Sequence, residues 1–161
     1  MNYIIDNCSL VNLANSNMLT LCVSNLPHAF YITPIVYNVE CTTCKPEVDH
    51  LLANGHLILL NFVPSISEFS NLATNFSIDD GECESILACQ TFNYAFVSDD
   101  NAARNCAEHI LGLTNRTGSL GLIKQLVASG TIICSDAITA YNTMKRAGGF
   151  LPKINPAATL C

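Results

Sequence analysis

The chain has 161 residues, half of them apolar and only 12% charged, enough for one domain with a real core and too apolar for a disordered chain. Seven bases against thirteen acids leave a formal charge of −6, which argues against a general nucleic-acid surface, since binding phosphates needs clustered Lys and Arg. The longest strongly apolar run, residues 57–63, is broken by Asn61 and too short to span a bilayer.

The opening MNYIID has no basic region and reaches an acid at position 6, so no signal peptide is expected and the expected location is cytoplasmic. Residues 1–5 read as a short buried strand ending at Asp6. A short helix follows around Leu10, Val11, Leu13 and Ala14, capped by Asn7 or Ser9, and residues 18–23 form a second helical segment. Residues 30–32 read as a strand rich in β-favouring side chains. Thr33-Pro34 signals a helix start, with Ile35, Val36 and Val39 facing inward and Glu40 on the side of Val36. Lys45-Pro46 breaks that run, and a helix over 48–54, a turn at Gly55 and a strand over 57–60 come next.

Residues 66–76 are read as a helix. Asp79 and Glu82 have the spacing of a capping box opening the next helix. Then come a strand over 95–98, a helix over 101–111, a short fifth strand within 112–116, and a helix over 120–128 capped by Thr117-Gly118-Ser119. A final helix over 135–146 stops at Gly148-Gly149, and the tail from about residue 150, with two prolines, is expected to be irregular. Strands alternating with helices, and no hairpin signal, predict a single α/β domain over 1–161: a mostly parallel central sheet of four to five strands with helices on both faces.

In parallel α/β sheets sites form outside the carboxyl ends of the strands. Asp6 and Asp99 both follow predicted strands, and Glu82 opens a helix that starts near the same edge. Like charges brought together raise one another's pKa values, and hard divalent cations are the usual compensation. That points to metal-assisted phosphodiester hydrolysis. With Asp6, Glu40, Glu82, Asp99 and Asp100 set aside, eight acids face seven bases, so the charge of the remaining surface is compatible with RNA without indicating it. Each acid also has a plainer role open to it. Asp6 can shape a turn, Asp79 and Glu82 can form only a capping box, Asp99 can cap a helix, and Asp100 can pair with Arg104.

The stretches IIDNCSLVNLA, VYNVE, DDGECESILA, FVSDDNAARNCAEHILGL, TGSLGLIKQLVASGTI and KRAGGF, in that order, resemble the motifs of PIN-domain proteins. The likeness is to the branch with a GE-x-E helix start, an Asp-Asp pair after the fourth strand and a later TG-x-x-G. The resemblance implies a three-layer α/β/α fold and Mg²⁺- or Mn²⁺-dependent ribonuclease activity, in many relatives as VapC-like toxins held by an antitoxin. It carries Asp6, Glu40, Glu82 and Asp99 over as catalytic acids. Asp6 and Asp99 would ligate metal directly, Glu40 and Glu82 would hold a second metal or orient the attacking water, and Asp100 matches a further acid of the branch. Cys8 stands where the family often has a small hydroxyl residue. Arg104, Arg116 and Lys124 are candidates for contacts to an RNA backbone. An antitoxin protein and a second copy of the chain are the expected partners, with no membrane. Two alternatives stand beside this: a non-catalytic PIN-like binding module, and another α/β metal-dependent phosphohydrolase.

Nine cysteines, an odd count, include seven with no other cysteine within four residues. They are read as reduced thiols packing as small hydrophobes, Cys22 and Cys134 among them, with Cys161 exposed and prone to oxidation. Cys41 and Cys44 form the only C-x-x-C pair. It lacks the second pair that a zinc site would want, and ordinary packing is the expectation.

Overall fold

Residues 1–112 and 115–161 are described by a computed structural model. Five parallel strands, β1 (Asn2–Ile5), β2 (Ala29–Ile32), β3 (Leu57–Leu59), β4 (Ala95–Val97) and β5 (Arg116–Thr117), form one sheet in the order β3-β2-β1-β4-β5. Parallel neighbours need long crossovers, and each crossover here carries helix.

Successive side chains of a strand point to opposite faces, which divides the core into two layers. Tyr3 and Ile5 of β1 face the same layer as Phe30 and Ile32 of β2 and Val97 of β4. That layer is filled by α1 (Asn7–Asn15), α2 (Leu19–Asn25), α3 (Lys45–Ala53), α7 (Ser119–Ala128) and α8 (Cys134–Arg146). Ile4 and Phe96 face the other way, onto α4 (Ile66–Phe76), α5 (Asp80–Phe92) and α6 (Asn101–Leu111). The expected three-layer α/β/α arrangement is the observed one. Among the described residues no helix is long and apolar enough to cross a membrane.

Several local expectations need correction. The cap of α1 is neither Asn7 nor Ser9 but Asp6, which has extended backbone and accepts the Ser9 N–H at 2.8 Å. The segment after Thr33-Pro34 widens into a π-helical turn, Val36–Glu40, closed by the Cys41 N–H on the Val36 carbonyl at 2.8 Å. The extra residue per hydrogen bond rotates Val39 off the inner face, so it is 68% exposed while Val36 is fully buried. Lys45-Pro46 does not merely break a run but starts α3, because proline in a first turn removes a donor that has no partner there. The fifth strand is Arg116–Thr117, and residues 113–114 of that expectation lie outside the described residues.

The tail is ordered too. It forms α9 (Pro156–Leu160), packed on α7 and α8, with Leu151 and Leu160 buried. Tyr141 Oη donates to the Pro152 carbonyl at 2.9 Å, and Lys145 Nζ to that of Leu151 at 3.0 Å. Cys134 and Cys161, expected as thiols, are joined by a disulfide with Cα atoms 5.5 Å apart. The other seven cysteines are free, and six of these are buried as small hydrophobes.

A packed tail predicts that Leu160→Ala costs about 2–5 kcal/mol, the range for emptying a buried leucine site. Urea unfolding under reducing conditions checks this. A cost within about 0.5 kcal/mol, as for a surface position, would show a tail that does not contribute to the core.

Candidate active site

The strand order reverses at β1, with β2 and β3 built to one side and β4 and β5 to the other. Such a switch opens a crevice at the carboxyl ends of the two central strands. Asp6 follows β1 there and Asp99 follows β4 by two residues; the Asp6 N–H donates to the Val97 carbonyl at 3.1 Å, which ties the two strand ends together. Both side chains are buried, Asp6 at 1% exposure and Asp99 at 5%.

Their hydrogen bonding differs sharply. Asp99 accepts from Asn12 Nδ2 on α1 at 2.8 Å, from the Ser119 backbone N–H at 2.9 Å, and from the Ser119 hydroxyl. Asp99 thereby caps the start of α7, where Gly118 offers no side-chain cap. A Cβ on Gly118 would sit 2.6 Å from Asp99 Oδ1, so the close approach requires glycine there. Asp6 spends Oδ1 on the Ser9 N–H, while its buried Oδ2 has no partner. Burial, aided by the charge of Asp99 and opposed by the Ser9 N–H and the nearby Ser98 and Ser9 hydroxyls, pushes the Asp6 carboxyl up to about 7.

Glu82 forms the expected capping box with Asp79. Asp79 Oδ1 accepts the Glu82 N–H at 2.8 Å, and Glu82 Oε2 accepts the Asp79 N–H at 3.1 Å. Burial pushes Glu82 up to about 8, with Asp79, Asp100 and Asp6 adding to the shift. Asp100, not Asp99, caps α6, taking the Ala102 and Ala103 N–H groups on one oxygen at 2.7 and 3.0 Å. The ion pairs among the described residues are Lys45–Asp49 and Arg116–Glu108, so Asp100 and Arg104 do not pair.

Glu40 meets the start of α5. Its carboxylate accepts the Gly81 N–H at 2.9 Å, and a Cβ on Gly81 would overlap it. Burial raises its pKa, followed by the charge of Asp79, with Asp80 and Glu84 adding less and the Gly81 N–H opposing. Glu84, two residues on from Glu82, is 3% exposed and accepts the Ile35 N–H at 2.6 Å. Asn12 and Ser119 were not expected at the site as partners of Asp99. The signal for Asn12 was a polar residue on the buried side of a helix between Leu10 and Leu13.

Of the expected cations, Arg104 and Arg116 line a cleft of about 270 Å³ with Asp99, Thr117 and Gly118, walled by Pro152, Ile154 and Thr159 from the tail. Arg116 also donates to Glu108. Lys124 is exposed on α7 and does not line that cleft.

Among the described residues no three His, Cys, Asp or Glu side chains close into a ready-made metal cage. The donor set nevertheless fits a hard cation. An unpartnered buried carboxylate oxygen and two carboxyls raised by burial and mutual repulsion lack positive charge, and Mg²⁺ typically takes only one or two carboxylates beside water and phosphate.

A stability test follows from the raised carboxyls. A group whose folded pKa exceeds its unfolded value binds its proton more tightly when folded. The contribution of Asp6 and Glu82 is therefore whole below their ordinary values of 3.8 and 4.5 and is lost as pH rises through about 7 and 8. With a chelator present, the urea midpoint should fall between pH 5 and pH 8.5. Asp6→Asn should flatten that fall and exceed wild type at pH 8.5 by up to about 4 kcal/mol, while added Mn²⁺ should raise the wild-type midpoint alone. An Asp6→Asn chain less stable than wild type at pH 8.5 would mean a carboxylate ionised and fully satisfied.

A search of curated proteins and a search of solved structures each found no match. The family model DUF3368, described as a PIN domain, matches residues 2–155. PIN domains are typically nucleases and generally use divalent metals, and this chain, matched over nearly its whole length, belongs to the PIN-domain family.

Proposed function

We propose that the chain is a metal-dependent endoribonuclease working at the crevice between β1 and β4. The observation that carries this is Asp6 beside Asp99 at the switch point, with Asp6 Oδ2 buried and unpartnered. Asp6 and Asp99 would hold the metal, with Asp100 offering the oxygen not used in capping. A bound Mg²⁺ or Mn²⁺ supplies a polarised water and neutralises charge developing on the phosphate oxygens.

The protein's own groups supply the rest. Asn12 and Ser119 fix both oxygens of Asp99, so the carboxylate is oriented before substrate arrives. Glu82, with one oxygen held by the Asp79 N–H, would accept the proton of the attacking water on the other. Arg104 and Arg116, in the cleft beside Asp99, provide fork-shaped donors for a phosphodiester. Hydrolysis adds water across one P–O bond and leaves a phosphomonoester and a hydroxyl. Glu40 acts through the start of α5, which it holds by the Gly81 N–H. Lys124 is left to a contact farther along the RNA.

A toxin role under an antitoxin, and a homodimer, belong to the same proposal. Val63 and Ile66, each 86% exposed near the edge strand β3, support a protein partner. One observation favours a second reading, a non-catalytic binding module: Asp99 is already satisfied by three donors.

Cleavage of labelled RNA with Mg²⁺ or Mn²⁺ separates the two. Wild type should cut, Asp6→Asn and Asp99→Asn should fall to background, and Asn12→Ala should lose about 10–100-fold, as outer-shell changes do. Equal activity in all four would sink the acid mechanism. Loss of a nucleotide phosphate with intact RNA would move the chain to another phosphohydrolase class, and no cleavage with a stable protein complex would favour the binding module.

A further inference from the structure

Glu40 is followed at once by Cys41, and Cys44 lies three residues on. Both cysteines are buried, at 2% and 6% exposure, and their sulfurs lie 3.5 Å apart. Among the described residues this is the one pair of free thiols within hydrogen-bonding reach of each other. Cys83 and Cys106 lie near enough for the charge of one to weigh on the other, but no hydrogen bond joins them.

The backbone around the pair matters as much as the distance. The Cys41 N–H closes the π-helical turn on Val36, and Cys44 is the N-cap of α3, its carbonyl accepting the Val48 N–H at 3.1 Å. C-x-x-C therefore opens a helix here, which the sequence alone did not suggest. Thr42 and Thr43 between the cysteines are exposed, so only a two-residue surface turn separates the buried sulfurs from solvent. Neither sulfur has another hydrogen-bond partner that oxidation would strand.

We propose that Cys41 and Cys44 are a modification site: a dithiol that a two-electron oxidant of the peroxide or small-molecule disulfide class converts to an intrachain disulfide. With peroxide, one thiolate sulfur attacks oxygen, the O–O bond breaks, and a sulfenic acid forms as water leaves. The second sulfur then displaces the hydroxyl, the S–S bond forms, and a second water carries away the remaining proton. Two thiols are oxidised by two electrons and one peroxide is reduced to two waters. With a small disulfide, two exchanges release two small thiols. The link would clamp the end of the π-helical turn to the start of α3 directly behind Glu40. A consequence for RNA cleavage rests on the function proposed above; the link itself does not.

The test uses the full chain. Reduced protein is titrated with oxidised glutathione or hydrogen peroxide, free thiols are alkylated, and proteolytic fragments are mapped by mass spectrometry. The expected product is a fragment carrying both Cys41 and Cys44, two hydrogens lighter and resistant to alkylation, restored by reductant. The fragment is distinct from the one joining Cys134 to Cys161. Cys41→Ser and Cys44→Ser should each abolish it while the circular dichroism stays native. Full alkylation of both cysteines after oxidation has linked Cys134 to Cys161 would overturn the proposal, and so would over-oxidation or glutathione capping of Cys41 in the wild-type chain without a link. A linked fragment from a chain inactive on RNA would leave the modification site standing and the nuclease reading fallen.

Discussion

Carboxylates buried side by side repel, and the junction of β1 and β4 resolves this by giving nearly all its hydrogen-bond donors to one of the two. Asp99 receives three, from Asn12 on α1 and from the backbone and hydroxyl of Ser119 at the head of α7. Those bonds fasten two helices of one layer to the end of a central strand, so Asp99 is a structural hub as well as a candidate ligand. Asp6 is left with one donor and an unpartnered oxygen in the interior. A half-satisfied buried acid is costly. Its persistence beside a fully satisfied one indicates where positive charge is needed.

A second arrangement supports the first from the flank. Glu84 on α5 accepts the Ile35 N–H at the start of the π-helical segment, and Glu40 at that segment's end accepts the Gly81 N–H at the start of α5. Each element thus lends a carboxylate to the other's free amide. The clasp fixes α5 against β2's exit loop and so fixes Glu82, two residues before Glu84 on the same helix. The start of a helix also tolerates acids, because its unpaired N–H groups carry partial positive charge. Asp79, Asp80, Glu82 and Glu40 crowd there for that reason. Glu40, through the Gly81 N–H, holds the start of the helix that carries Glu82.

Much of this was legible from residue order. Short apolar runs such as YII and AFV could only be buried parallel strands between helices, and acids directly after them had to reach the carboxyl edge. Asp79 and Glu82 announced their capping box by spacing. What could not be read were features set by distant partners. No local rule says that Val36–Glu40 widens to a π-helical turn, whose two ends are bonded to Glu84 and Gly81, forty or more residues away. The tail looked irregular because two prolines dominate its composition, whereas Leu151, Leu160 and the Cys134–Cys161 link bind it to α8 through tertiary contact. Asn12 was hidden because a lone buried amide has no motif; only its partner Asp99, 87 residues on, explains it.

The short glycine-bearing motifs that carried the family likeness acquire a common physical meaning in this light. A side chain on Gly81 would overlap the Glu40 carboxylate, and one on Gly118 would press on Asp99 Oδ1. One on Gly149, at the end of KRAGGF, would meet Asn12 Oδ1 at 2.5 Å and the Met144 carbonyl at 2.9 Å. Asn12 is the residue whose other amide atom donates to Asp99. Three motifs scattered over seventy residues thus each clear space for an acid of the crevice or for the amide that orients one. Gly118 has an extended φ of −144° that any residue adopts, so what selects glycine there is room and not backbone freedom. The motifs are spaced irregularly along the chain because the sheet, not the sequence, brings their acids together. The spacing that matters is the distance between neighbouring strands, which sets Asp6 against Asp99.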